Sequence, residues 1–365
     1  MKIELKQVLY PQPKSKIKAS DGKSEGKYKF FTSSPMQTRF IDEANYDKPS
    51  LIFGTGGNAS VHFCDEPFST STDCLVMYGR NKIELESIYN YLKGNISLLE
   101  HGFKGAGLKH ISKDYILAIE IELPSEAMQH EFLQKNQIVD EIIEAKRTQL
   151  LLSEDLVKSR FIEMFGDPET NPYGWKQLTV NDVCASIVRG PFGSALKKEF
   201  FVPPSDTTYK VYEQKHAIQK SSTIGTYYVT AEKYNELRRF ECHSGDILMS
   251  CSGTMGELYQ LPVGCERGII NQALCKFTLN ERILPIAFLA YMRETIGNLE
   301  TKGSGIQNIA AVSYVKAMPI NLPPMRVQEQ FAAFVEQVDK SKFEIQQSLE
   351  KLEILKKSLM QQYFG

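Results

Sequence analysis

The feature that most constrains this chain of 365 residues is an internal repeat. The sequence KGAGLKHI begins at Lys104, and the similar sequence KGSGIQNI begins at Lys302. The register then continues through further matched positions: Gln129 and Phe132 with Gln328 and Phe331, Val139-Asp140 with Val338-Asp339, and Phe165-Gly166 with Phe364-Gly365. A register of this length predicts two units, 1–166 and 167–365, each a mixed domain followed by a long helix.

Each copy of the repeat contains a short apolar stretch that predicts a strand, Tyr115–Leu123 in the first copy and Tyr314–Leu322 in the second. Pro124 and Pro323 follow these stretches, at the place where a helix would begin.

Residues 126–165 and 325–363 are predicted to be long helices, because they lack Gly and Pro and are rich in Glu, Lys, Leu and Gln. Apolar residues recur at heptad positions, which predicts a supercoiled helix pair. The predicted interface residues are Val139, Ile143, Leu150, Val157, Phe331, Val338, Ile345, Leu352 and Leu359. The alternative is two separate amphipathic helices, each packed on its own domain.

The sequence patterns before these helices predict β-rich domains. The predicted strands are Leu51–Phe53, Cys74–Tyr78, Tyr209–Tyr212, Asp246–Ser250 and Ala273–Thr278, and the predicted short helices are Lys82–Lys93 and Pro285–Glu294. Gly- and Ser-rich turns separate the strands. We expect a twisted sheet with helices at its edge.

Charge is distributed unevenly, although the net charge is only −1. Residues 1–40 hold nine Lys or Arg against three acids, whereas residues 126–165 hold five against eight. This pattern fits phosphate contact in one region and protein contact in another, or simply an uneven solvated surface.

Other signals restrict the class of protein. No apolar run suggests a membrane span or a secretory signal, and the seven cysteines form no CxxC pair. The six histidines show no metal-ligand spacing. We therefore expect a cytoplasmic protein with reduced thiols and no metal.

Two possible catalytic motifs are incomplete. NPY at 171–173 lacks the second proline of the NPPY motif of adenine methyltransferases, and GTGG at 54–57 lacks the Gly-Lys-Ser/Thr of a nucleotide-binding loop. We therefore expect no enzyme activity. Two hypotheses for the whole chain stay open at this point. One is a one-chain methyltransferase, and the other is a coiled-coil adaptor without a DNA role.

Several short segments follow one another in a specific order. In the second unit these are NPYGW at 171–175, RGPFGS at 189–194, VYEQK at 211–215, GDILMSCSGT at 245–254 and GIINQA at 268–273. In the first unit they are FFTS at 30–33 and FGTGGNAS at 53–60. In this order, the segments of the second unit resemble the target recognition domain of the specificity (S) subunits of Type I restriction–modification enzymes, and those of the first unit resemble another subclass of the same domain. The resemblance covers essentially the whole chain.

The resemblance implies an α+β fold with an internal pseudo-two-fold repeat. Residues 1–125 and 167–324 would be two target recognition domains, each reading one half of a bipartite, asymmetric site in double-stranded DNA. Helices 126–166 and 325–365 would pair as an antiparallel coiled coil that sets the spacer and docks two modification subunits. Restriction subunits would complete the assembly, with S-adenosylmethionine in the modification subunit, ATP and Mg in the restriction subunit, and no cofactor in this chain.

Candidate DNA contacts follow from the chemistry of phosphates and base edges. In the first domain they are Thr38, Arg39, Thr55, Asn58, Thr72 and Lys109, and in the second they are Arg189, Lys197, Lys198, Gln214, Lys215, Ser252, Thr254, Asn271 and Gln272. For any one of them an ordinary surface or turn role is the alternative, above all for Asn271 and Gln272.

Overall fold

The computed structural model describes residues 2–105, 107, 109–301 and 312–364, with backbone only at 193 and 297–301. The chain divides into two compact units. Unit 1 comprises Met1–Gln149 with Glu344–Gly365, and unit 2 comprises Leu150–Phe343. Within the described ranges, no helix is both long enough and apolar enough to span a bilayer.

Unit 1 begins with a β-rich region followed by short helices. In chain order its elements are β1 Lys2–Glu4, β2 Tyr10–Pro11, β3 Tyr28–Phe31, β4 Arg39–Ile41, β5 Ser50–Gly54, β6 Ser60–Cys64, β7 Phe68–Thr70, β8 Cys74–Tyr78, α1 Lys82–Gly94, α2 Ser97–Glu100, α3 Lys113–Leu117 and β9 Glu120–Glu122. The long helix α4, Glu126–Phe165, follows and continues into unit 2.

The remaining elements follow α4. They are β10 Lys176–Thr179, β11 Cys184–Arg189, β12 Tyr209–Tyr212, α5 Gln214–Ile218, β13 Tyr228–Val229, α6 Ala231–Glu236, β14 Glu241–Cys242, β15 Ile247–Ser250, β16 Leu258–Gln260, β17 Gly268–Ile270, β18 Leu274–Leu279, α7 Pro285–Thr301, α8 Val312–Ala317, β19 Pro319–Leu322 and α9 Met325–Phe364.

The two units share one strand topology. In each, the first and last strands pair with one another, as β1–β9 and as β10–β19. Each also has a four-stranded antiparallel sheet, β2-β8-β5-β6 or β11-β18-β15-β16. A further sheet contains a parallel pair, β3–β7 or β12–β17, and β14 adds an edge strand to it in unit 2. The repeat seen in the sequence therefore extends through regions whose sequences do not align.

The central strands of these sheets are apolar because both of their faces are covered. Every residue of β5 (SLIFG) and of β15 (ILMS) is buried. The core of unit 1 joins β5 to α1 through Leu85, Ile88 and Leu92. In unit 2, α7 packs on the equivalent sheet through Phe288, whose ring centroid lies 5.4 Å from that of Phe277.

Most predicted elements are present, with two corrections. Tyr115–Leu123 and Tyr314–Leu322 are not continuous strands, because each begins in a short helix, α3 or α8, and only its second half is a strand. In the first copy the Ser112 hydroxyl accepts a hydrogen bond from the Tyr115 backbone N–H and so starts a helix. Each domain also contains several small sheets rather than one twisted sheet. The second copy of the repeat motif, 302–309, lies outside the described residues, as do residues 106 and 108 of the first.

The long helices begin in the same way in both copies. The Gln129 amide donates to the carbonyl of Pro124 at 2.9 Å, and the Gln328 amide donates to the carbonyl of Pro323 at 3.0 Å. Both glutamine side chains are buried at the first turn of their helices. The backbone carbonyls that precede each helix need hydrogen-bond partners there, and the two amides supply them. The matched glutamines of the repeat are therefore structural.

The segments of α4 and α9 pair antiparallel within each unit. In unit 1, Phe132 packs on Phe364 with ring centroids 5.1 Å apart, and Asp140 forms an ion pair with Lys356. Farther along, Arg147 contacts Glu353 at 3.4 Å. Residue numbers therefore rise on one helix as they fall on the other, which is the direction expected for an antiparallel coiled coil.

The same direction holds in unit 2. Glu154 pairs with Lys342 at 3.4 Å, and the ring centroids of Phe161 and Phe331 lie 5.8 Å apart. The heptad residues lie on the covered faces of the helices: Val139, Ile143, Phe331, Val338 and Leu359 are buried, and Leu150, Val157, Ile345 and Leu352 are half-buried.

Candidate nucleic-acid interface

Loops that leave one end of the sheets in unit 2 hold most of the predicted DNA contacts of that unit. The turn after β15 is tied to the residue that opens α5, because the Ser252 hydroxyl donates to Gln214 Oε1 at 2.9 Å. Thr254 is exposed beside them, and its carbonyl accepts from the Ser250 hydroxyl at 2.6 Å. These contacts bring Gln214, Ser252 and Thr254 together.

The segments at 189–192 and 271–273 pack closely against each other. The Gly190 N–H donates to the carbonyl of Leu274 at 3.0 Å, and a Cβ on Gly190 would lie 1.8 Å from the carbonyl oxygen of Asn271. Only glycine fits this contact. Asn271 itself is used internally, because its side-chain oxygen accepts from the Ala273 N–H and its own N–H donates to Tyr212. Gln272, next to it, is exposed.

The basic residues of unit 2 differ in their exposure and in their ion pairs. Lys197 and Lys198 are exposed, and Lys197 has an acidic neighbour, Glu199, at 3.6 Å. The Lys215 ammonium is half-buried and pairs with Glu213 at 2.7 Å, so this pair must open before Lys215 can contact a base.

Arg189 is half-buried. It lies opposite Cys275 in the β11–β18 register, and its guanidinium lies 5.8 Å from the Phe192 ring centroid. Its Nε and Nη1 atoms are buried and find no hydrogen-bond partner in the part of the chain that the structure describes. A hydrogen bond with Cys275 lowers the pKa of the Cys251 thiol, and the nearby Arg189 charge acts in the same direction.

Unit 1 builds the same loop framework from other side chains. The N–H and hydroxyl of Thr55 both donate to the Asp73 carbonyl at 2.9 Å. In unit 2 the equivalent N–H of Cys251 donates to Ala273 at 2.8 Å. The Gly56 N–H donates to the Ser33 hydroxyl at 2.9 Å, which is the counterpart of the tie between Ser252 and Gln214.

The remaining predicted contacts of unit 1 lie around this framework. Asn58 and Lys109 are exposed, and the His110 ring nitrogen Nδ1 lies 3.1 Å from the Thr55 carbonyl, which places Lys109 beside the turn. Thr72 is half-buried, and its N–H donates to Ile17. Thr38 and Arg39 are exposed at β4, where the Arg39 side chain donates to the carbonyl of Gly22 at 3.2 Å.

The structure adds three lysines that the sequence did not single out. Lys14, Lys16 and Lys18 are exposed on the segment between β2 and β3. This segment takes the place that residues 190–208 occupy between β11 and β12 in unit 2. The charge excess of residues 1–40 was the available signal, but it could not tell these lysines from Lys23 and Lys29, which pair with Asp42 and Glu66.

Comparison with known proteins identifies the family. The model of the Type I restriction modification DNA specificity domain matches residues 1–152 and again 172–356. The S subunit of a Type I restriction-modification system from M. genitalium is similar over 100% of this chain and 96% of its own, with 15% identity and a TM-score of 0.57. A chain from a structural study of complex assembly and conformational transition of the type I R-M system is similar over 100% and 97%, with 14% identity and a TM-score of 0.63. Together with the two matched units, these findings show that the chain belongs to the family of Type I restriction–modification specificity subunits.

Proposed function

We propose that each unit reads one half of a bipartite, asymmetric site in double-stranded DNA through its loop cluster. The loop cluster comprises residues 12–18, 32–38, 55–58, 71–73 and 109–110 in unit 1, and residues 190–198, 213–215, 251–254 and 271–273 in unit 2. The supporting observation is that one backbone framework carries two different sets of side chains. Ser33 and Gly56 meet in unit 1 where Gln214 and Ser252 meet in unit 2. A shared framework with unlike polar groups suits recognition of two unlike sequences.

Phosphates and bases would be contacted by different residues. Exposed lysines (Lys14, Lys16, Lys18, Lys109, Lys197 and Lys198) would contact phosphates, since a flexible ammonium neutralises charge on any sequence. Gln214, Ser252, Thr254 and Gln272 would read base edges in the second half-site, and Thr38, Asn58 and Thr72 in the first. Thr55 and Asn271, whose polar groups are tied within the loops, would instead hold the loops in shape, as Arg39 does through Gly22.

The helix pair would set the spacing of the half-sites and dock two modification subunits. Apolar side chains on α4 stay exposed outside the covered seam, Ile138 and Ile142 in unit 1 and Leu152 and Leu156 in unit 2. In each case the two residues lie four apart and so share a helix face. Exposed apolar side chains in such an arrangement favour protein docking.

In this proposal the domains are residues 1–125 and 167–324, joined to helices 126–166 and 325–365, and the chain works in the cytoplasm. It would hold no cofactor of its own. S-adenosylmethionine would belong to the modification subunit, and ATP and Mg to the restriction subunit. The chain would itself have no methyltransferase, nuclease or ATPase activity.

The test is to coexpress the chain with its modification subunits and map methylated adenines across a host genome. We expect one motif with two unlike halves and a fixed spacer. The variant Gln214→Ala should relax preference at one position of one half-site, since a good base contact discriminates by about 1–3 kcal/mol. Methylation that does not depend on the chain, or methyl transfer by the pure chain, would contradict the proposal.

A further inference from the structure

Phe192 has an environment unlike that of the other phenylalanines of unit 2's loop cluster. It stands between β11 and β12, in the segment that also carries Lys197 and Lys198, and 70% of its surface is exposed. Exposure of a whole aromatic ring to water is unfavourable, and phenylalanines are usually buried. A single exposed apolar side chain is ordinary by itself, so the basic side chains beside this ring and the backbone beneath it carry the inference.

The backbone under Phe192 is held firmly. Pro191 is buried, and Gly190 lies against the backbone of Asn271 so closely that no side chain could stand between them. The Gly190 N–H is also bonded to the carbonyl of Leu274. The ring is therefore presented from a fixed point of the sheet, and ordering it on binding would cost little conformational entropy.

The chemistry around the ring selects one kind of ligand. Phenylalanine has no hydrogen-bonding group, so it cannot contact a phosphate or a base edge by a hydrogen bond. A flat ring can stack on a base, and apolar side chains are inserted between base steps by many proteins that bend DNA. The Arg189 guanidinium near the ring and the exposed ammonium groups of Lys197 and Lys198 favour a polyanion over an apolar protein surface.

We propose that Phe192 is a wedge that stacks on a base of the second half-site after opening the stack at one base step. The inference rests on the proposed function of unit 2 in reading that half-site. The wedge would add affinity at a step that is easy to unstack, and it would read the deformability of that step rather than its hydrogen bonds. The sequence preference at that position would therefore not depend on a polar contact to a base.

The test uses the full complex with modification subunits and duplexes that carry the motif mapped for the parent chain. A set of duplexes has one abasic position each, moved along the second half-site, because a missing base removes the cost of unstacking. The variants are Phe192→Ala and Phe192→Trp. The control is Val263→Ala, which truncates another apolar side chain of unit 2 that is 96% exposed.

We expect the parent to bind one abasic duplex more tightly than the intact duplex. Phe192→Ala should weaken binding to the intact motif about tenfold, in line with the effect of removing an aromatic that stacks on a base. It should also lose the gain at that abasic position, whereas Phe192→Trp should keep it. Val263→Ala should behave as the parent does.

Four results would overturn the inference. If Phe192→Ala binds every duplex as the parent does, the ring is not a wedge. If replacing thymine by uracil in the half-site removes the effect of Phe192→Ala, the ring contacts a methyl group instead. If Phe192→Ala loses the modification subunits, the ring contacts protein. If the parent complex shows no sequence preference at all, the proposed function has failed as well, which separates the two cases.

Discussion

Units 1 and 2 have the same strand order, but the polar groups in their equivalent sheets differ. In unit 2, Asp246, which directly precedes β15, forms a buried ion pair at 3.1 Å with Lys276 of β18. The register places Ser50 and Val76 at these positions in unit 1, where the Ser50 hydroxyl is bonded to Gln12 at 2.8 Å. Backbone pairing therefore defines this fold, whereas the buried side chains within it can change from neutral to charged.

The largest effect should come from breaking this ion pair. Lys276→Met should destabilise unit 2 by about 3–5 kcal/mol, because it leaves the buried Asp246 carboxylate without its cation. The His243 N–H and the Thr278 hydroxyl still donate to that carboxylate, but neither neutralises its charge. Hydrogen exchange of the β15 and β18 amides would measure the loss, with β5 and β8 of unit 1 as internal reference.

The matched control transfers the residues of unit 1. The double variant Asp246→Ser with Lys276→Val should recover most of the lost stability, since replacing both members of a buried pair is often near neutral. A double variant as unstable as Lys276→Met would show that the two sheets are not equivalent at this position.

The basic segments of the two units should contribute differently to the salt dependence of DNA binding. Charge reversal at Lys197 and Lys198 should weaken DNA binding on all sequences and reduce the salt slope by about 1.8, at about 0.9 for each phosphate contact. Reversal at Lys14, Lys16 and Lys18 should reduce it by about 2.7 on the same basis. Titrations over a range of salt concentrations give the slopes.

Lys176→Glu is the control for both sets, since Lys176 is exposed on β10, outside the loop cluster. Unchanged affinity at low salt after either triple or double reversal would mean that the DNA face of that unit has been assigned to the wrong loops.

The smallest effect should be an acid sensitivity of α5. Burial lowers the pKa of His216 from its ordinary value of 6.5, against hydrogen bonds with the backbone of Glu213 and Ile224 that favour the charged form. The neutral ring is therefore favoured in the folded state. This contribution to stability is fully present above pH 6.5 and is lost as the pH falls from there towards the lower folded pKa.

Hydrogen exchange of α5 at several pH values from 8 to 5 tests this. Protection should fall in the parent and stay level in His216→Gln. In unit 1, burial also lowers the pKa of His62, whose ring nitrogen Nε2 lies 2.8 Å from the carbonyl of Ser34. The hydrogen-exchange protection of the loop after β3 should therefore fall over the same pH range. An acid loss that is the same in His216→Gln would assign it to another group.

The sequence predicted best the elements that local pattern determines. The bounds of α4 match the prediction because no Gly or Pro interrupts 126–165 and the heptad pattern is regular. β8 (CLVMY) also matches because it is an apolar run, and β12 (YKVY) matches because it is rich in aromatic and β-branched residues. The strand predicted at Tyr115–Leu123 was wrong in its first half, where the cap at Ser112 outweighs the apolar pattern.

The equivalence of the two loop clusters could not be predicted from the sequence. Thr55 and Cys251 are matched by strand register and by the backbone hydrogen bonds that they donate to residues 73 and 273. A backbone hydrogen bond can form with almost any side chain at that position, so the sequence does not reveal it. For the same reason the sequence could propose Gln214 as a contact but could not find Ser33 as its counterpart.

If the helix pair fixes the distance between the half-sites that the two units read, lengthening both helices should lengthen the spacer. One heptad inserted into α4 and one into α9 at facing positions keeps the apolar seam and adds about 10 Å to each helix. That length corresponds to about three base pairs at 3.4 Å per step. Methylation mapping should give the same two half-sites with a longer spacer. An assembled, active variant that keeps the parental spacer would show that something other than these helices sets the distance between the half-sites.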